Sequence, residues 1–323
     1  MVRALKISKI SLAWLAIVLT TMFWATSLIF AKIVFDEVTP ITFVALRYTL
    51  ACPVLIAFMA MLGNKERPRA SIRANWRVIL ATGLTGPFLN QILQYIGLDL
   101  TTAGDAILLL NLSPVFAVIL AAPILNEAIT TEKVSGLVLA TLGATMIVMN
   151  TAPGDPSFTP LRVLGNIVVI ASTFFFALNG IIGKIGVGSI DSLSFTFYST
   201  LSAVPFLWIT ASILEDVTVM LHLSPIAWLL ILWVGVVNTA IGFALYYESL
   251  NHIEASKVQI ALNLIAVWGV TMSVFVLGES ATVLQLLGGA LTVVGVILAQ
   301  RVRNGSQSKE MPRSPDTEEV GQP

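Results

Sequence analysis

The segment LNLSPV at residues 110–115 recurs as LNLIAV at residues 262–267, an offset of 152 residues. Other residues recur at the same offset without any gap, and several of them are polar or aromatic. Apolar segments match often by chance because Leu, Val and Ala dominate them, whereas matched Lys, Asn, Glu and Tyr residues are not expected by chance. The chain is therefore predicted to contain an internal duplication. The matched pairs include Lys32 and Lys184, Phe43 and Phe195, Gly83 and Gly235, Tyr95 and Tyr247, Asn111 and Asn263, and Glu127 and Glu279.

The composition of the chain is that of a protein surrounded by lipid. Of its 323 residues, 56% are hydrophobic and only 11% are charged, against about 25% charged in an ordinary soluble domain. A soluble protein could not keep so much apolar surface away from water. The 18 basic and 18 acidic residues cancel, so the basic field that a nucleic-acid partner requires is missing. A single cysteine, Cys52, excludes an intrachain disulfide framework.

Apolar runs long enough to span a bilayer, about 20 residues each, recur throughout the chain. A backbone in hydrocarbon must satisfy its own hydrogen bonds, so each run is predicted to be a helix. The first run, residues 12–35, is longer than the apolar core of a signal peptide, which has about 7–15 residues. It is therefore interpreted as an uncleaved span. The predicted spans are residues 11–33, 42–62, 77–97, 104–123, 133–150, 162–183, 193–214, 226–248, 257–277 and 281–300.

The distribution of Lys and Arg predicts the orientation of these spans. With the N-terminus inside, 15 of the 18 basic residues fall in cytoplasmic segments, as the positive-inside rule requires. Both termini are then cytoplasmic. Each repeat contains five spans, an odd number, so the second copy enters the membrane from the opposite side. The predicted fold is an all-α integral membrane protein with ten transmembrane helices arranged as two inverted five-helix repeats.

The same reading divides the chain into four regions. Residues 1–10 form a cytoplasmic N-terminus, residues 11–150 the first repeat and residues 162–300 the second, inverted repeat. Residues 301–323 are polar and rich in Pro and Ser, so they are predicted to be a disordered cytoplasmic tail.

Inverted repeats favour a secondary transporter that works by alternating access, with a solute site near the membrane midplane. A passive facilitator or channel is the alternative, because some channels share this duplication. No Walker loop, HExxH or GxSxG motif occurs, so the sequence does not support ATP hydrolysis or other enzyme activity. No cofactor is predicted, and the expected partners are a small-molecule substrate and the lipid bilayer.

Spaced residues in both halves resemble those of the drug/metabolite transporter superfamily, specifically the EamA-type exporters. The resemblance covers about residues 12–300 and implies export of amino acids or similar small metabolites across the bacterial inner membrane. Two departures occur: Ala25 stands where the family usually has Gly, and Ile265 and Ala266 replace a usual Glu-Pro pair. The residues that carry the resemblance are Trp24, Lys32, Pro40, Arg47, Pro114, Glu127, Gly136, Gly143, Lys184, Tyr247, Glu279, Gly288 and Gly295.

Polar and aromatic residues within the predicted spans are the candidate lining of one central cavity. A polar side chain at bilayer depth is costly unless it faces a partner or water. Each amide could instead bond only to a neighbouring helix, and the sequence leaves both alternatives open. The candidates are Trp24, Ser27, Asn90 (or Gln91), Gln94, Tyr95, Asn111, Asn179, Asn238, Tyr246, Tyr247 and Asn263.

Five charged residues near the ends of the spans are further candidates. Lys32, Arg47 and Lys184 are predicted mouth charges that guide carboxylates, with snorkelling to the interface as the alternative for the two lysines. Arg47 lies deeper and is expected to pair with Asp36 or Glu37 of the preceding loop, or with a carboxylate substrate. Glu127 and Glu279 are predicted to hold the following loops, with a role in ion coupling as the alternative.

Small residues recur at four-residue spacing on the fifth and tenth predicted spans, at Gly136, Ala140 and Ala144 and at Gly288 and Thr292. Such stripes permit close contact between helices. The sequence does not decide between packing of the two halves against each other and a homodimer interface.

Overall fold

The structure, a computed structural model, has helices in each of the ten stretches that the hydropathy of the sequence predicts, within the part of the chain that it describes. Five of the helices are long and apolar enough to cross a bilayer, judged by length and composition. Every regular element in the described ranges is helical, which confirms the all-α prediction. The described residues are 9–62, 69–113, 115–117, 119–120, 131–149, 159–187, 190–252, 261–262 and 264–299. The predicted tail, Glu127 and Asn263 lie outside them.

The helices are numbered here as spans 1 to 10 in chain order. Spans 3 and 8 are composite, since each contains a π-helical stretch between two α-helical pieces. Spans 1 to 5 are Lys9–Val34, Pro40–Leu62, Trp76–Gly83 with Leu84–Asn90 and Gln91–Leu100, Ala103–Leu110, and Thr131–Met149. Spans 6 to 10 are Pro160–Val187, Ser192–Leu214, Pro225–Trp233 with Val234–Ile241 and Gly242–His252, Leu264–Leu277, and Val283–Ala299. Two short elements, the helix Arg69–Ala74 and the 3₁₀ helix Val217–Leu221, lie between spans.

Spans 5 and 10 cross at glycines whose contacts are reciprocal. A Cβ atom added to Gly143 would lie 2.5 Å from the carbonyl oxygen of Gly288, and one added to Gly295 would lie 2.7 Å from that of Gly136. Gly288 and Gly295 are the 152-residue counterparts of Gly136 and Gly143. Such exchange of partners is the signature of a twofold axis. The small-residue stripes therefore pack the two halves of one chain against each other.

The same reciprocity holds where span 3 meets span 7 and where span 8 meets span 2. A Cβ atom at Gly83 would lie 2.6 Å from the carbonyl oxygen of Ser199, and one at Gly235 would lie 2.9 Å from that of Arg47. These positions are also related by 152 residues. Only glycine allows the backbones to approach so closely, and at Gly235 this approach fixes the backbone from which Arg47 projects.

The two π-helical stretches occupy overlapping positions in the two halves. Pro87 lies within the first one and cannot donate the backbone hydrogen bond that an α-helix needs. In the second, the hydroxyl of Thr239 donates to the carbonyl oxygen of Val234, five residues earlier, at 3.0 Å. A π-turn inserts an extra residue and so rotates all later side chains around the helix axis. This rotation decides which side chains of span 3 reach the interior.

Candidate functional site

A cavity lies between the two halves and is lined by residues from spans 1 to 4, 6, 8 and 9. The room inside it for the centres of water-sized molecules is about 90 Å³. Since one buried water needs roughly 10–15 Å³ by this measure, the cavity holds several waters or one small solute. Its lining residues are Trp24, Ser27, Leu28, Arg47, Gln91, Gln94, Tyr95, Ile107, Leu110, Asn111, Ser113, Phe176, Phe243, Leu262 and Ile265.

Arg47 is the one cation among these lining residues, and its side chain is held by neutral groups. Only 3% of the residue is exposed. Its Nε atom donates to the hydroxyl of Thr239 at 3.0 Å, and Nη1 donates to the carbonyl oxygen of the Gln91 amide at 3.1 Å. Nη1 also donates to Ser27 at 3.3 Å and to the hydroxyl of Tyr95. The four contacts come from three spans, since Gln91 and Tyr95 both lie on span 3, so the guanidinium is fixed in direction.

A chain of amides continues from this guanidinium towards span 6. Gln91 donates from Nε2 to Oδ1 of Asn90 at 2.8 Å, and Asn90 donates from Nδ2 to the carbonyl oxygen of Ser172 at 2.9 Å. Gln94 accepts a longer bond from Gln91 at 3.4 Å. Hydrogen-bonded side chains of this kind hold one another in a single arrangement. The chain therefore links the position of Arg47 to the packing of the two halves.

Span 4 is interrupted beside the cavity at Asn111. The helix Ala103–Leu110 ends there, three residues before Pro114, which lacks a backbone N–H. Asn111 donates from Nδ2 to the carbonyl oxygens of Ile107 and Leu108 at 3.3 and 3.2 Å. Its Oδ1 atom accepts no hydrogen bond from any residue that the structure describes. Asn111 therefore stabilises the helix end with its amide nitrogen, and its amide oxygen lies beside the cavity.

The opposite side of the cavity is aromatic and aliphatic. Trp24 donates from Nε1 to the carbonyl oxygen of Asn238 at 3.1 Å. Its ring lies 4.9 Å from the ring of Phe243 and 6.2 Å from that of Phe176, measured between centroids. Phe176 and Phe243 come from the second half, so the two halves meet at this apolar wall. The cavity therefore has a polar corner around Arg47 and an apolar remainder.

The predicted lining residues divide into those that reach this cavity and those that do not. Trp24, Ser27, Gln94, Tyr95 and Asn111 lie on its wall. Asn90 instead bonds to span 6, and Asn238 donates to the backbone of Phe23 and to Thr26. Tyr246 packs behind Trp24. Asn179 and Tyr247 line a second, smaller cavity, together with Tyr48, Pro87, Thr196, Ser199, Thr200 and Phe243.

The predicted mouth charges behave differently from one another. Arg47 lies at the cavity wall, not at a mouth, and bonds to no acidic residue in the described part of the chain. The Nζ atom of Lys32 donates to the carbonyl oxygens of Leu98, Asp99 and Thr101 at 2.9, 3.1 and 2.7 Å. Lys32 therefore ties span 1 to the carboxyl end of span 3. The side chain of Lys184 lies outside the described part.

Glu279 accepts hydrogen bonds from the start of a helix and not from the loop that follows it. Its two carboxylate oxygens accept from the backbone N–H groups of Ala103 and Gly104 at 2.8 and 2.9 Å. These are the first residues of span 4, where an acidic group also stabilises the helix dipole. Glu279 thus joins the loop after span 9 to the start of span 4. Its repeat counterpart, Glu127, is not among the described residues.

A buried ion pair lies at the same end of the molecule and is absent from the sequence prediction. Asp105 is fully buried and binds Arg162 at 2.9 Å. Gln285 donates to its other oxygen at 2.6 Å, and Asn166 donates to the first at 3.3 Å. The network connects spans 4, 6 and 10. The sequence indicates this pair only through its opposite charges, since Asp105 and Arg162 each lie at the start of a predicted span.

Acidic residues hold two more helix starts at this end. Glu215 accepts from the backbone N–H groups of Ile41 and Thr42 at 2.9 and 2.7 Å, at the start of span 2. Glu37 accepts from the N–H and hydroxyl groups of Ser224, just before span 8. Both bonds lower the pKa of the Glu37 carboxyl. Charged groups thus join several spans at the end that the charge distribution predicts to be outside.

A model of the EamA-like transporter family matches residues 11–149 and again residues 163–300. The two matches correspond to the two structural halves. The chain belongs to the EamA-like transporter family. A solved structure with a TM-score of 0.63 and 19% sequence identity covers 89% of this chain and 96% of its own, which shows the shared fold.

Relatives of this EamA-like protein are named as transporters. One from Streptantibioticus cattleyicolor, a probable terminal-alkyne amino-acid exporter, is 28% identical over 91% of this chain and 95% of its own length. A probable amino-acid metabolite efflux pump from Escherichia coli K12 is 22% identical over 87% of this chain and 92% of its own. An uncharacterized transporter from Archaeoglobus fulgidus is 25% identical over 88% of this chain and 96% of its own length. Transporter membership, as the repeat predicts, is confirmed.

Proposed function

We propose that this protein is a secondary transporter that exports amino acids or similar small metabolites by alternating access. The observation that carries the proposal is the central cavity, whose walls come from two halves related by reciprocal contacts. Rotation of one such half against the other would expose the same cavity to either side of the membrane. The names of the relatives from Streptantibioticus cattleyicolor and Escherichia coli support export of amino-acid-like solutes.

The proposed location is the bacterial inner membrane, with both termini in the cytoplasm. The excess of basic residues in the loops on that side supports this orientation. Reporter fusions in residues 63–68 and after residue 300 should then report the same, cytoplasmic side. Placement of the two reporters on opposite sides would contradict the even number of spans and with it the inverted arrangement.

Counterflow in proteoliposomes tests transport by alternating access. Metabolite profiling of the medium of cells with and without the chain identifies the exported solute, which is then loaded at high concentration inside the vesicles. A carrier should draw labelled solute inward against its gradient, and the exchange should saturate. A passive facilitator that behaves as a pore, the remaining alternative, would give neither result. Arg77→Gln, which alters an exposed residue beside Trp76, is a control that should transport normally.

A further inference from the structure

We propose that Arg47 is the subsite for a carboxylate of the transported solute, and that the solute class is monocarboxylic acids with an apolar body and no required ammonium group. This inference rests on the transport part of the proposed function, and within the proposed range of solutes it favours metabolites that lack the ammonium group of an amino acid. It depends on three features of the cavity: the free half of the guanidinium, the charge of the lining and the distribution of apolar side chains.

One edge of the Arg47 guanidinium has no acceptor among the residues that the structure describes. Nε and Nη1 donate all of the hydrogen bonds that the described residues accept from this side chain. Nη2 donates to none of them. The Nη2 atom is not fully buried. Arg47 lines the cavity, so Nη2 is accessible from it. Two N–H groups of a fixed and otherwise buried guanidinium are therefore available to a solute.

The charge of the lining makes an anion the matching ligand. Arg47 lies about 10 Å along span 2 from its start at Pro40, at bilayer depth. Its partners Ser27, Gln91, Tyr95 and Thr239 are all neutral. An arginine at such depth is costly without a counter-charge. A carboxylate supplies the counter-charge and matches the planar donor geometry of a guanidinium.

The remainder of the cavity suits an apolar body better than an ammonium group. Among the described lining residues, none is Asp or Glu. An ammonium group would find only neutral oxygens in exchange for its hydration, those of Ser27, Gln91, Gln94, Tyr95, Asn111 and Ser113. The other walls are apolar or aromatic. They consist of Trp24, Phe176, Phe243 and five aliphatic residues, namely Leu28, Ile107, Leu110, Leu262 and Ile265. Burying a hydrocarbon or aryl group there is favourable, so a second charge on the solute is a cost.

A matched ligand series tests this class without altering the protein. The probes are linear monocarboxylates of three to ten carbons and 3-phenylpropionate, each compared with its primary amide and its amine, together with phenylalanine as a zwitterion. Binding to the full chain in detergent is followed by the shift in apparent melting temperature. At least one carboxylate should bind at least tenfold more tightly than its amide and amine, and 3-phenylpropionate more tightly than phenylalanine. The proposal is wrong if the carboxylates do not exceed their amides, including the case in which neither binds.

Variants then assign the selectivity to Arg47. Arg47→Gln should remove the preference for carboxylate over amide, while Arg47→Lys should restore part of it. Arg77→Gln removes the same charge from an exposed position and should keep the full preference. If Arg47→Gln elutes as an aggregate, Arg47→Lys alone decides, since a lysine lacks the second N–H pair and should weaken carboxylate binding at least fivefold. A preference unchanged in either variant would overturn the assignment.

The binding assay also separates this proposal from the proposed transport. Carboxylate-selective binding without counterflow would contradict transport and leave the subsite standing. Saturable counterflow of a solute that no carboxylate inhibits would support transport and contradict the subsite. Both experiments use the same purified chain, so neither outcome can be attributed to a different preparation.

Discussion

The corner around Arg47 and its counterpart in the second half share a scaffold but differ in chemistry. In both halves the tyrosine packs against an equivalent phenylalanine, with centroids 5.1 Å apart for Phe43 and Tyr95 and 5.5 Å apart for Phe195 and Tyr247. The tyrosine is retained at both corners, whereas the other side chains compared here have diverged. Ser27, Arg47, Gln91 and Tyr95 in the first half correspond to Asn179, Ser199, Phe243 and Tyr247 in the second.

This comparison separates what the duplication preserves from what it leaves free. The reciprocal glycine contacts preserve how the helices pack, because any larger residue would collide with a facing backbone. The cavity side chains carry no such restraint. The guanidinium therefore occurs at one corner only, and the second corner encloses a smaller cavity without a cation among its described lining residues. The proposed carboxylate subsite therefore has no counterpart among the described lining residues of the second corner.

Exchanging the two corners should give the largest effect. Ser199→Arg would bury a guanidinium beside Phe243, where the amide of Gln91 has no equivalent. We expect a loss of about 5 kcal/mol, the upper cost of an uncompensated buried charge, seen as a large fall in apparent melting temperature. Arg47→Ser should remain folded, and Ser199→Ala is the size control. A Ser199→Arg variant as stable as the parent would mean that the two corners are equivalent environments.

The second-largest effect is expected at the buried network of Asp105, because the repeat-related positions cannot form the same ion pair. Asp105, Arg162 and Gln285 form a buried network at one end, whereas their repeat counterparts are Lys257, Ile10 and Lys133, none of which is acidic. Asp105→Asn removes the buried carboxylate charge that pairs with Arg162 and should cost about 3 kcal/mol.

The measurement for Asp105→Asn is the apparent melting temperature, with Asp36→Asn on an exposed loop as its control. The control should melt as the parent does. An equal effect of both substitutions would show that the buried network contributes no more than a surface carboxylate.

The placement of helices was predictable from sequence because it depends on a one-dimensional pattern. The offset of 152 residues identifies Gly83 with Gly235 and Gly143 with Gly295, and these are the positions where helices touch. Trp24, Ser27 and Tyr95 were predictable cavity residues because polar and aromatic groups stand out in apolar spans. Apolar lining residues such as Phe176 cannot be distinguished from core in this way.

The direction of side chains in span 3 was not predictable, for a physical reason. Helical spacing places Gly83, Pro87, Asn90 and Gln94 on one face only if 3.6 residues make every turn. The π-helical stretch Leu84–Asn90 inserts an extra residue, which turns Gln91 towards Arg47 and Asn90 towards Ser172. Arg47 was assigned to a mouth because its distance from the loop indicates depth but not direction.

The third effect tests the reciprocity of spans 5 and 10. Gly143→Ala and Gly295→Ala should cost the same, about 2 kcal/mol each, because either Cβ meets a facing backbone and forces overpacking. Gly180→Ala is the matched control, since a Cβ there meets nothing within 4 Å. It should leave the apparent melting temperature unchanged or slightly raised. Clearly unequal losses of stability for the substitutions at Gly143 and Gly295 would argue against a twofold relation between the halves.

The smallest effect compares the two tyrosines. The Tyr95 hydroxyl bonds to Ser27 at 2.6 Å and accepts from Arg47. The Tyr247 hydroxyl bonds to no residue in the described ranges. Tyr95→Phe should weaken binding of the best monocarboxylate about fivefold, the value of one hydrogen bond of ~1 kcal/mol. Tyr247→Phe should change it less than twofold, and equal effects would remove the distinction between the corners.

The crossing of spans 5 and 10 has a geometric consequence. Thr292 donates to the carbonyl oxygen of Ala140 at 3.4 Å, and these two residues are each other's counterparts. A point that meets its own image lies on the rotation axis, where a swap of the two halves produces no displacement. If transport proceeds by such an exchange, the two halves rotate about this crossing. The residues around it then keep the same contacts throughout the cycle, while the two openings of the cavity exchange their conformations.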